Sequence, residues 1–346
     1  MAEAGTDAHA WGRGAAGSKV VLRLGYFPNI THAQAVLGVA DGTFARALGP
    51  GVELQTKVFN AGPSVIEALF AGELDLSYVG PNPAVNGYVR SRGEALRIIA
   101  GATSGGAALV VREGSGIRTA ADFHGKRLAT PQLGNTQDVA ARAWLLKQGY
   151  RLRAQGGDVE VLPLKNPDQL ALFQKGEIDA AWTVEPWATR LIREGGGRLF
   201  LDERDLWPGG RFVTAHVIVS TRFLARHPGI VRRFLRAHVA LTQRINARPA
   251  EARKRVNGEL RRLTGQALPG AVLADAFSRL EVTWDPVSAS LFQAADQAYV
   301  LGFLGKEKPR LAGIYCLEPL NAVLAEKHLP PVQGPAGGEG GDRRGE

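Results

Sequence analysis

The chain has little cysteine and no long apolar run. Cys316 is the single cysteine in 346 residues, which excludes an intramolecular disulfide and any metal site built from several cysteines. No apolar stretch approaches the roughly 20 residues that a helix needs to cross a bilayer. The sequence therefore predicts neither a disulfide-stabilised fold nor a membrane-embedded chain.

The amino terminus shows no targeting signal. Residues 1–18 are rich in Ala and Gly, without a basic start before an apolar core and without a cysteine for a lipid anchor. Two alternatives stay open: a leader has been removed, or the protein stays inside the cell. We expect residues 1–18 and the Gly-rich residues 331–346 to be disordered, because neither end can bury enough apolar surface.

Signatures of catalysis are missing as well. The sequence has no GxSxG elbow, no HExxH pair, no P-loop and no GxGxxG after a strand. Cys316 has no neighbouring histidine that would activate its thiol. We therefore predict no catalytic residue, no metal site and no cofactor, and expect a protein that is not an enzyme.

The charge is positive, with a formal net value of +9 at pH 7. This excess would suit an anionic partner, but the basic residues are spread along the chain and concentrate in predicted late helices, for example at Arg232, Arg236 and Arg261. We interpret them as solvated helix faces and predict no nucleic-acid partner.

What the chain does contain is an ordinary globular composition, 45% hydrophobic and 22% charged, at a length sufficient for two domains. Strand-like apolar runs alternate with helical patterns, starting with Val20–Gly25, Ala33–Asp41 and Val52–Phe59. This order predicts an α/β fold with mainly parallel sheets flanked by helices.

One stretch occurs twice. GELDLSYVGPNPAVN (Gly72 to Asn86) returns as GEIDAAWTVEPWATR (Gly176 to Arg190), and a shift of 104 positions also places Arg23 on Arg127, Pro63 on Pro167 and Asp75 on Asp179. Each copy resembles a buried strand that ends in a Pro-containing turn. We interpret the repeat as a structural duplication, which predicts two similar lobes facing one ligand.

The lobes are predicted to be discontinuous. We assign residues 19–106 and 216–330 to lobe 1 and residues 107–215 to lobe 2, because the late region is mostly helical and cannot form a third sheet. The chain would cross between the lobes near Ser104 to Ala108 and near Phe212 to Val217. These two crossings predict a two-strand hinge.

The predicted ligand site consists of loops at the carboxyl ends of the strands, where helix N-termini offer free N–H groups. Their Gly, Asn, Thr, Ser, Gln, Pro and His residues suit a small polar ligand, and the loops contain no Lys or Arg, so an anionic ligand would be met by N–H groups and histidine. The candidate ligand-binding residues are Asn29, His32, Gln34, Asn60, Gly62, Pro81, Asn82, Ser104, Gly105, Asn135, Thr136, Gln137, Glu185, Trp187 and His216.

Several of these residues have an equally good structural interpretation. Asn29, Asn60, Asn135 and Thr136 are common capping and turn residues. Glu185 follows an apolar strand, where an unpaired carboxylate is costly to bury, so it either pairs with a group of the other lobe or faces the ligand; we favour the ligand.

Four segments together resemble the substrate-binding proteins of ABC importers in the nitrate, sulfonate and taurine family. They are LGYFPNITHAQAVLG, FNAGPSVIEALFAGELDLSYVGPNPAVNGY, GKRLATPQLGNTQDVAARAWL and GEIDAAWTVEPWATRL. The resemblance covers about residues 19–330, in order. It implies a two-lobed, type II periplasmic-binding-protein fold with two hinge crossings, the architecture that the repeat also predicts.

The resemblance further implies a function as a solute receptor. Such a protein binds a sulfonate, taurine, nitrate or a similar small molecule between its lobes and delivers it to a membrane permease with its ATPase, as a monomer in the periplasm or at the cell surface. Two alternatives stay open: an enzyme on the same fold, similar to pyrimidine-precursor synthases, or an intracellular small-molecule sensor.

Overall fold

A computed structural model of the protein describes residues 19–334. Within this range the chain forms strands β1 (Val20–Tyr26), β2 (Val52–Val58), β3 (Leu76–Val79), β4 (Leu96–Gly105), β5 (Ala107–Arg112), β6 (Arg127–Thr130), β7 (Glu160–Pro163), β8 (Ala180–Val184), β9 (Gly197–Asp202), β10 (Val213–Ser220) and β11 (Leu280–Val282).

The helices alternate with these strands up to β10 and dominate afterwards. They are α1 (Ala33–Ala40), α2 (Thr43–Leu48), α3 (Gly62–Phe70), α4 (Pro81–Arg90), α5 (Thr136–Lys147), α6 (Asn166–Gln174), α7 (Trp187–Arg193), α8 (Thr221–Arg226), α9 (Pro228–Ala247), α10 (Pro249–Thr264), α11 (Gly270–Ser278), α12 (Ser288–Val300) and α13 (Glu318–Glu326). None of the helices within residues 19–334 is both long and apolar enough to cross a membrane.

The strands form two sheets. The first has the order β11-β4-β10-β3-β1-β2 and the second the order β7-β6-β8-β5-β9. In both, three strands pair in parallel. β10 in the first sheet and β5 in the second pair antiparallel with the neighbours on both sides, and β11 adds a further antiparallel pair with β4. The predicted α/β class with mainly parallel strand directions is confirmed. We call the first sheet with its helices lobe 1 and the second lobe 2; their exact residue bounds stay a prediction.

The antiparallel strands β10 and β5 lie next to the chain crossings. β4 of lobe 1 passes directly into β5 of lobe 2 through Gly105 and Gly106, whose φ angles of 73° and 76° favour glycine. The returning chain lies beside this link, since Gly105 N–H donates to the Phe212 carbonyl at 3.0 Å. Adjacent crossings of this kind allow the lobes to rotate as two bodies about a narrow hinge.

The sequence repeat corresponds to a repeated strand connection. In lobe 1 the Asp75 carboxylate accepts the Arg23 N–H at 2.9 Å, while the Asp75 N–H donates back to the Arg23 carbonyl at 2.9 Å. In lobe 2 Asp179 and Arg127 make the same two bonds, each at 2.9 Å. The duplicated Asp therefore joins the start of β3 to β1 in lobe 1 and the start of β8 to β6 in lobe 2.

The glycine of the repeat ends a helix. Gly72 and Gly176 have φ angles of 72° and 75° and follow α3 and α6. The next N–H, of Glu73 or Glu177, donates to the carbonyl five residues earlier at 2.9 Å in both copies. This is the Schellman arrangement, which satisfies carbonyls that the helix end leaves free.

Apolar side chains fill both faces of both sheets. Lobe 1 has one large cluster that includes Leu24, Tyr78 and Phe234, and a second around Val79 and Ile218. Lobe 2 has two smaller clusters, in which Trp182 lies on one face of the sheet and Phe173 on the other. Burial on both faces explains why the central strands contain almost unbroken apolar runs.

Some predicted boundaries are wrong. The sequence pattern over Thr221 to Ala247 predicts a single helix, but the chain breaks at His227 because Pro228 begins a new helix. The Gly-rich composition of Thr103 to Gly106 predicts a loop, yet Ser104 pairs with Val213 inside β4. The sequence patterns also missed α4 and β9.

The predicted disordered ends lie mostly outside the described residues, which exclude 1–18 and 335–346. The predicted tail starts too early, however. Val332 donates its N–H to Asn321 Oδ1 at 2.9 Å and accepts the Asn321 amide at 3.1 Å. The chain is therefore held against lobe 1 beyond residue 331.

Candidate functional site

A cleft between the lobes has two connected compartments. The outer one has a volume of about 490 Å³ and the inner one about 30 Å³. They share four lining residues, Phe27, Asn29 and Asn60 of lobe 1 and Asn166 of lobe 2. The cleft is therefore one continuous space that narrows toward the hinge side.

The inner compartment follows the internal duplication. Five pairs of its lining residues are related by the shift of 104 positions: Phe27 and Pro131, Thr31 and Asn135, His32 and Thr136, Gly62 and Asn166, and Gly80 and Val184. The two lobes thus present equivalent loops to each other. Equivalent structural positions of both halves therefore face one space.

Helix N-termini point to this compartment from both lobes. Gly62 begins α3 in lobe 1, and Thr136 begins α5 in lobe 2. Asn135 caps α5 because its Oδ1 accepts the Asp138 N–H at 2.8 Å. First-turn N–H groups and the helix dipoles make this end of the cleft favourable for negative charge.

His32 lines the inner compartment as a neutral ring. Its Nδ1 accepts the Phe27 N–H at 3.1 Å, and the ring stacks on Phe27 with 4.4 Å between centroids. Burial lowers the pKa of His32 to about 3. With Nδ1 occupied as an acceptor, the remaining proton is on Nε2, which is therefore a donor.

Glu185 does not contact the inner or the outer compartment, which corrects the prediction that it faces the ligand. Its carboxylate accepts Arg279 Nη1 of lobe 1 at 3.0 Å, Thr189 N–H at 3.1 Å and Thr189 Oγ1 at 3.0 Å. Burial raises the pKa of Glu185, and the Arg279 guanidinium offsets part of that rise. Of the two predicted alternatives for Glu185, the structure shows the pairing with a group of the other lobe.

The outer compartment contains a guanidinium group that the loop composition did not predict. Arg190 of α7 lines it, lies 4.7 Å from the centroid of the Trp187 ring and pairs with Glu194 at 2.9 Å. Trp187 lines the same space, and its Nε1 donates to Asn29 Oδ1 of lobe 1 at 3.3 Å. Spacing of three and four residues along α7 places these three side chains on one helix face.

Nine of the fifteen predicted residues lie at or directly beside the cleft or its lobe contacts. Asn29, His32, Asn60, Gly62, Asn135, Thr136 and Gln137 line the inner compartment, Trp187 lines the outer one, and Glu185 joins the lobes. The structure brings these together from loops that are more than 150 residues apart in the chain.

The other six predicted residues do not line the cleft compartments, and each has a structural role. Gln34 donates to the Ala102 carbonyl at 2.8 Å, Asn82 donates to the Ala294 carbonyl at 3.1 Å, and His216 bonds the Pro286 carbonyl at 2.9 Å. Pro81 begins α4, and Ser104 and Gly105 belong to the hinge end of β4. These positions are corrections to the predicted site, because adjacency in a loop does not fix which way a side chain points.

Several residues of the cleft were missed, among them Thr31, Asn166, Arg190 and Thr214. Two of these had a usable signal, since the shift of 104 positions places Asn166 on the predicted Gly62 and Thr31 on the predicted Asn135. Arg190 had a weaker signal, because it lies three residues after the predicted Trp187. No group of three or more metal-ligating side chains occurs within residues 19–334.

The fold defines the class, a two-lobed protein with a cleft between mixed α/β lobes. The model of the NMT1-like family matches residues 15–257. The chain therefore belongs to the NMT1-like family.

Similarity to individual proteins is lower. The chain is 28% identical to the taurine-binding periplasmic protein of Escherichia coli (strain K12) over 164 residues, which are 46% of this chain and 48% of that protein. The alignment thus spans about half the length of this curated relative.

Solved structures share the fold. The alkanesulfonate-binding protein SsuA from Xanthomonas axonopodis pv. citri, bound to MOPS, superposes with a TM-score of 0.69 at 23% identity, covering 84% of this chain and 96% of that one. The periplasmic nitrate-binding protein NrtA from Synechocystis superposes with a TM-score of 0.71 at 13% identity, covering 90% of each chain. The predicted type II periplasmic-binding-protein architecture is confirmed by these matches.

Proposed function

We propose that this protein is the solute-binding receptor of an ABC importer, which closes over one small polar or anionic molecule between its lobes. The observation that carries the proposal is the inner compartment, where duplicated loops of both lobes present helix N-termini and neutral polar groups to one space. Ligand contacts to both lobes would favour the closed state, as a population shift requires.

The partners and location follow from the same proposal. We expect delivery to a membrane permease with its ATPase, a monomeric receptor, and a location in the periplasm or at the cell surface. The names of the similar proteins support this, since the taurine-binding and nitrate-binding proteins are described as periplasmic.

The enzyme alternative has no support from the cleft. It would need a reactive cysteine beside the ligand, but the Cys316 N–H donates to the Ile98 carbonyl of β4 at 2.9 Å and Cys316 lines neither compartment. Burial raises the pKa of its thiol to about 11, which keeps it unreactive. We infer a binding protein without catalytic residues.

Calorimetric titration and X-ray scattering on the full chain test the proposed function. The titrants are a panel of sulfonates, taurine, nitrate and pyrimidines. We expect saturable binding of at least one compound with a 1:1 ratio, together with a smaller radius of gyration in its presence. Absence of both heat and compaction for the whole panel would refute the receptor function.

A further inference from the structure

Three side-chain oxygens of the inner compartment already accept hydrogen bonds from the protein. The Asn29 side-chain oxygen is engaged by Trp187, the Asn135 oxygen by the Asp138 N–H, and the Gln137 oxygen accepts the Asn135 amide at 3.3 Å. With these oxygens occupied, the NH₂ groups of Asn29 and Gln137 are the parts left for a ligand. His32 adds a third donor, its Nε2–H.

A buried hydroxyl at the same point lacks a hydrogen-bond partner in the described part of the chain. Thr136 is 7% exposed, and its Oγ1 has no hydrogen-bond partner among residues 19–334. It belongs to the first turn of α5, a helix of 12 residues whose N-terminal N–H groups face the same space. An unpaired buried hydroxyl is costly unless a bound group satisfies it.

The electrostatic potential of the inner compartment comes from dipoles and not from charged side chains. No Lys, Arg, Asp or Glu is among the described residues that line it. N–H donors and two helix N-termini stabilise an oxyanion but offer nothing to an ammonium group. The head group that fits is small, carries acceptor oxygens and is negative.

The outer compartment has a different character and is far larger. Ten of its seventeen lining residues are apolar, including Phe27, Leu170, Trp187, Leu260 and Leu268. The charged residues of this lining are Arg190 and Glu194, which pair with each other, so the space has no net charge for a second ionic group. It suits an uncharged apolar body.

Resting on the proposed function, we propose that the ligand is an organic oxyanion with a bulky apolar body and no ammonium group. Its head enters the donor-rich inner compartment, and its body lies in the outer compartment against Phe27 and Trp187. Nitrate lacks the body, and taurine carries an ammonium group for which neither compartment has a free carboxylate.

A graded ligand series tests this assignment by calorimetry on the full chain. The probes are nitrate, taurine, methanesulfonate, butanesulfonate and 2-naphthalenesulfonate. 2-Naphthalenesulfonamide serves as the analogue with the same ring and a neutral head group. Apolar burial contributes about 0.8 kcal/mol per CH₂, or roughly a fourfold change in Kd. We therefore expect Kd to fall from methanesulfonate to naphthalenesulfonate by about 100-fold or more.

The outcomes separate the two proposals. Binding of nitrate or taurine as tight as that of naphthalenesulfonate overturns the ligand class and leaves the receptor function in place. Equal binding of the neutral sulfonamide overturns the oxyanion head. Binding by no member of the series overturns the ligand class, and the receptor function falls only if the wider panel and the scattering experiment also fail.

A variant with a matched control locates the head group. Gln137→Glu replaces the free NH₂ by a carboxylate of the same size and should weaken naphthalenesulfonate by about 100-fold or more, through repulsion in a buried site. Gln155→Glu makes the same charge change on the exposed surface of lobe 2 and should change Kd by less than about twofold. Equal affinities of the two variants would overturn the placement of the oxyanion.

Discussion

Glu203 is a buried acid that the cleft does not use. It lies just after β9, is 1% exposed and accepts Trp182 Nε1 at 2.7 Å. Burial raises the pKa of Glu203 from 4.5 to about 7, although the Trp182 hydrogen bond acts in the opposite direction. The cost of burying the charge exceeds the gain from one indole donor. Ionisation of Glu203 above neutral pH therefore lowers the stability of the folded protein.

This makes folding stability depend on pH. The unfolded chain releases the Glu203 proton near pH 4.5, whereas the folded chain retains it up to about pH 7, so stability falls as pH rises through this window. Glu203→Gln should remove that fall and raise the free energy of unfolding at about pH 8 by roughly 2–3 kcal/mol. Urea denaturation at about pH 5 and pH 8 measures both effects.

Glu177→Gln is the control for this prediction, because Glu177 is exposed on the same lobe. It should leave the pH profile of stability unchanged. A Glu203→Gln profile that still falls between acid and neutral pH would show that another group causes the dependence.

At the scale of elements, the duplicated Asp explains why the repeat was visible in the sequence. Asp75 joins the start of β3 to β1, and Asp179 joins the start of β8 to β6, each with both a side-chain and a main-chain bond. Both carboxylates are largely buried, with 12% side-chain exposure. The residues that made the repeat recognisable therefore support the sheets, and ligand contacts come from the loops that follow.

We predict that Asp75→Ala and Asp179→Ala destabilise their own lobes by similar amounts. Each removes a carboxylate that accepts a buried N–H, which costs about 2–3 kcal/mol. Chemical denaturation measures the loss, with Asp296→Ala as control, since the Asp296–Lys308 pair is exposed and should contribute less than about 1 kcal/mol. Losses no larger than that of the control would contradict the structural role.

For the whole molecule, one close approach between the lobes leaves no room for a larger side chain. Gly80 lies at the start of α4 in lobe 1, and a Cβ atom there would overlap Thr136 Oγ1 of lobe 2. The backbone at Gly80, with φ −69° and ψ 160°, is open to any residue. The glycine is therefore required by the contact across the cleft and not by its own conformation.

Gly80→Ala should hold the lobes apart and weaken ligand binding by about 10-fold or more while leaving unfolding stability almost unchanged. Thr136→Ala removes the overlapping oxygen, after which the nearest partner atom is Cβ at 3.4 Å. In the Thr136→Ala background the added Gly80→Ala should therefore cost little further affinity. Calorimetry on the four proteins of this double-mutant cycle, with scattering radii, measures the coupling.

The same loss of affinity from Gly80→Ala in both backgrounds would contradict the closure contact. A loss in unfolding stability as large as the loss in binding would also contradict it, because the added methyl group would then act within lobe 1 and not between the lobes.

The sequence predicts the two lobes and part of the candidate site. The shift of 104 positions predicted two lobes correctly and, applied to single positions, would have added Asn166 and Thr31 to the site. Loop composition could not separate His32, which faces the cleft, from Gln34, whose amide is used by Ala102. The orientation of neighbouring side chains depends on how α1 packs against the sheets, which a pattern of residue types does not contain.

The sequence by itself determined the α/β class, the duplication, the hinge crossings and the loops that form the cleft, because strand and helix periodicity and turn residues act locally. Only the tertiary structure decided that Glu185 pairs with Arg279, that Arg190 lies in the outer compartment and that Gly80 meets Thr136. Each of these contacts joins residues from distant parts of the chain. Their charges and shapes meet only after both lobes have packed, so no local pattern can specify them.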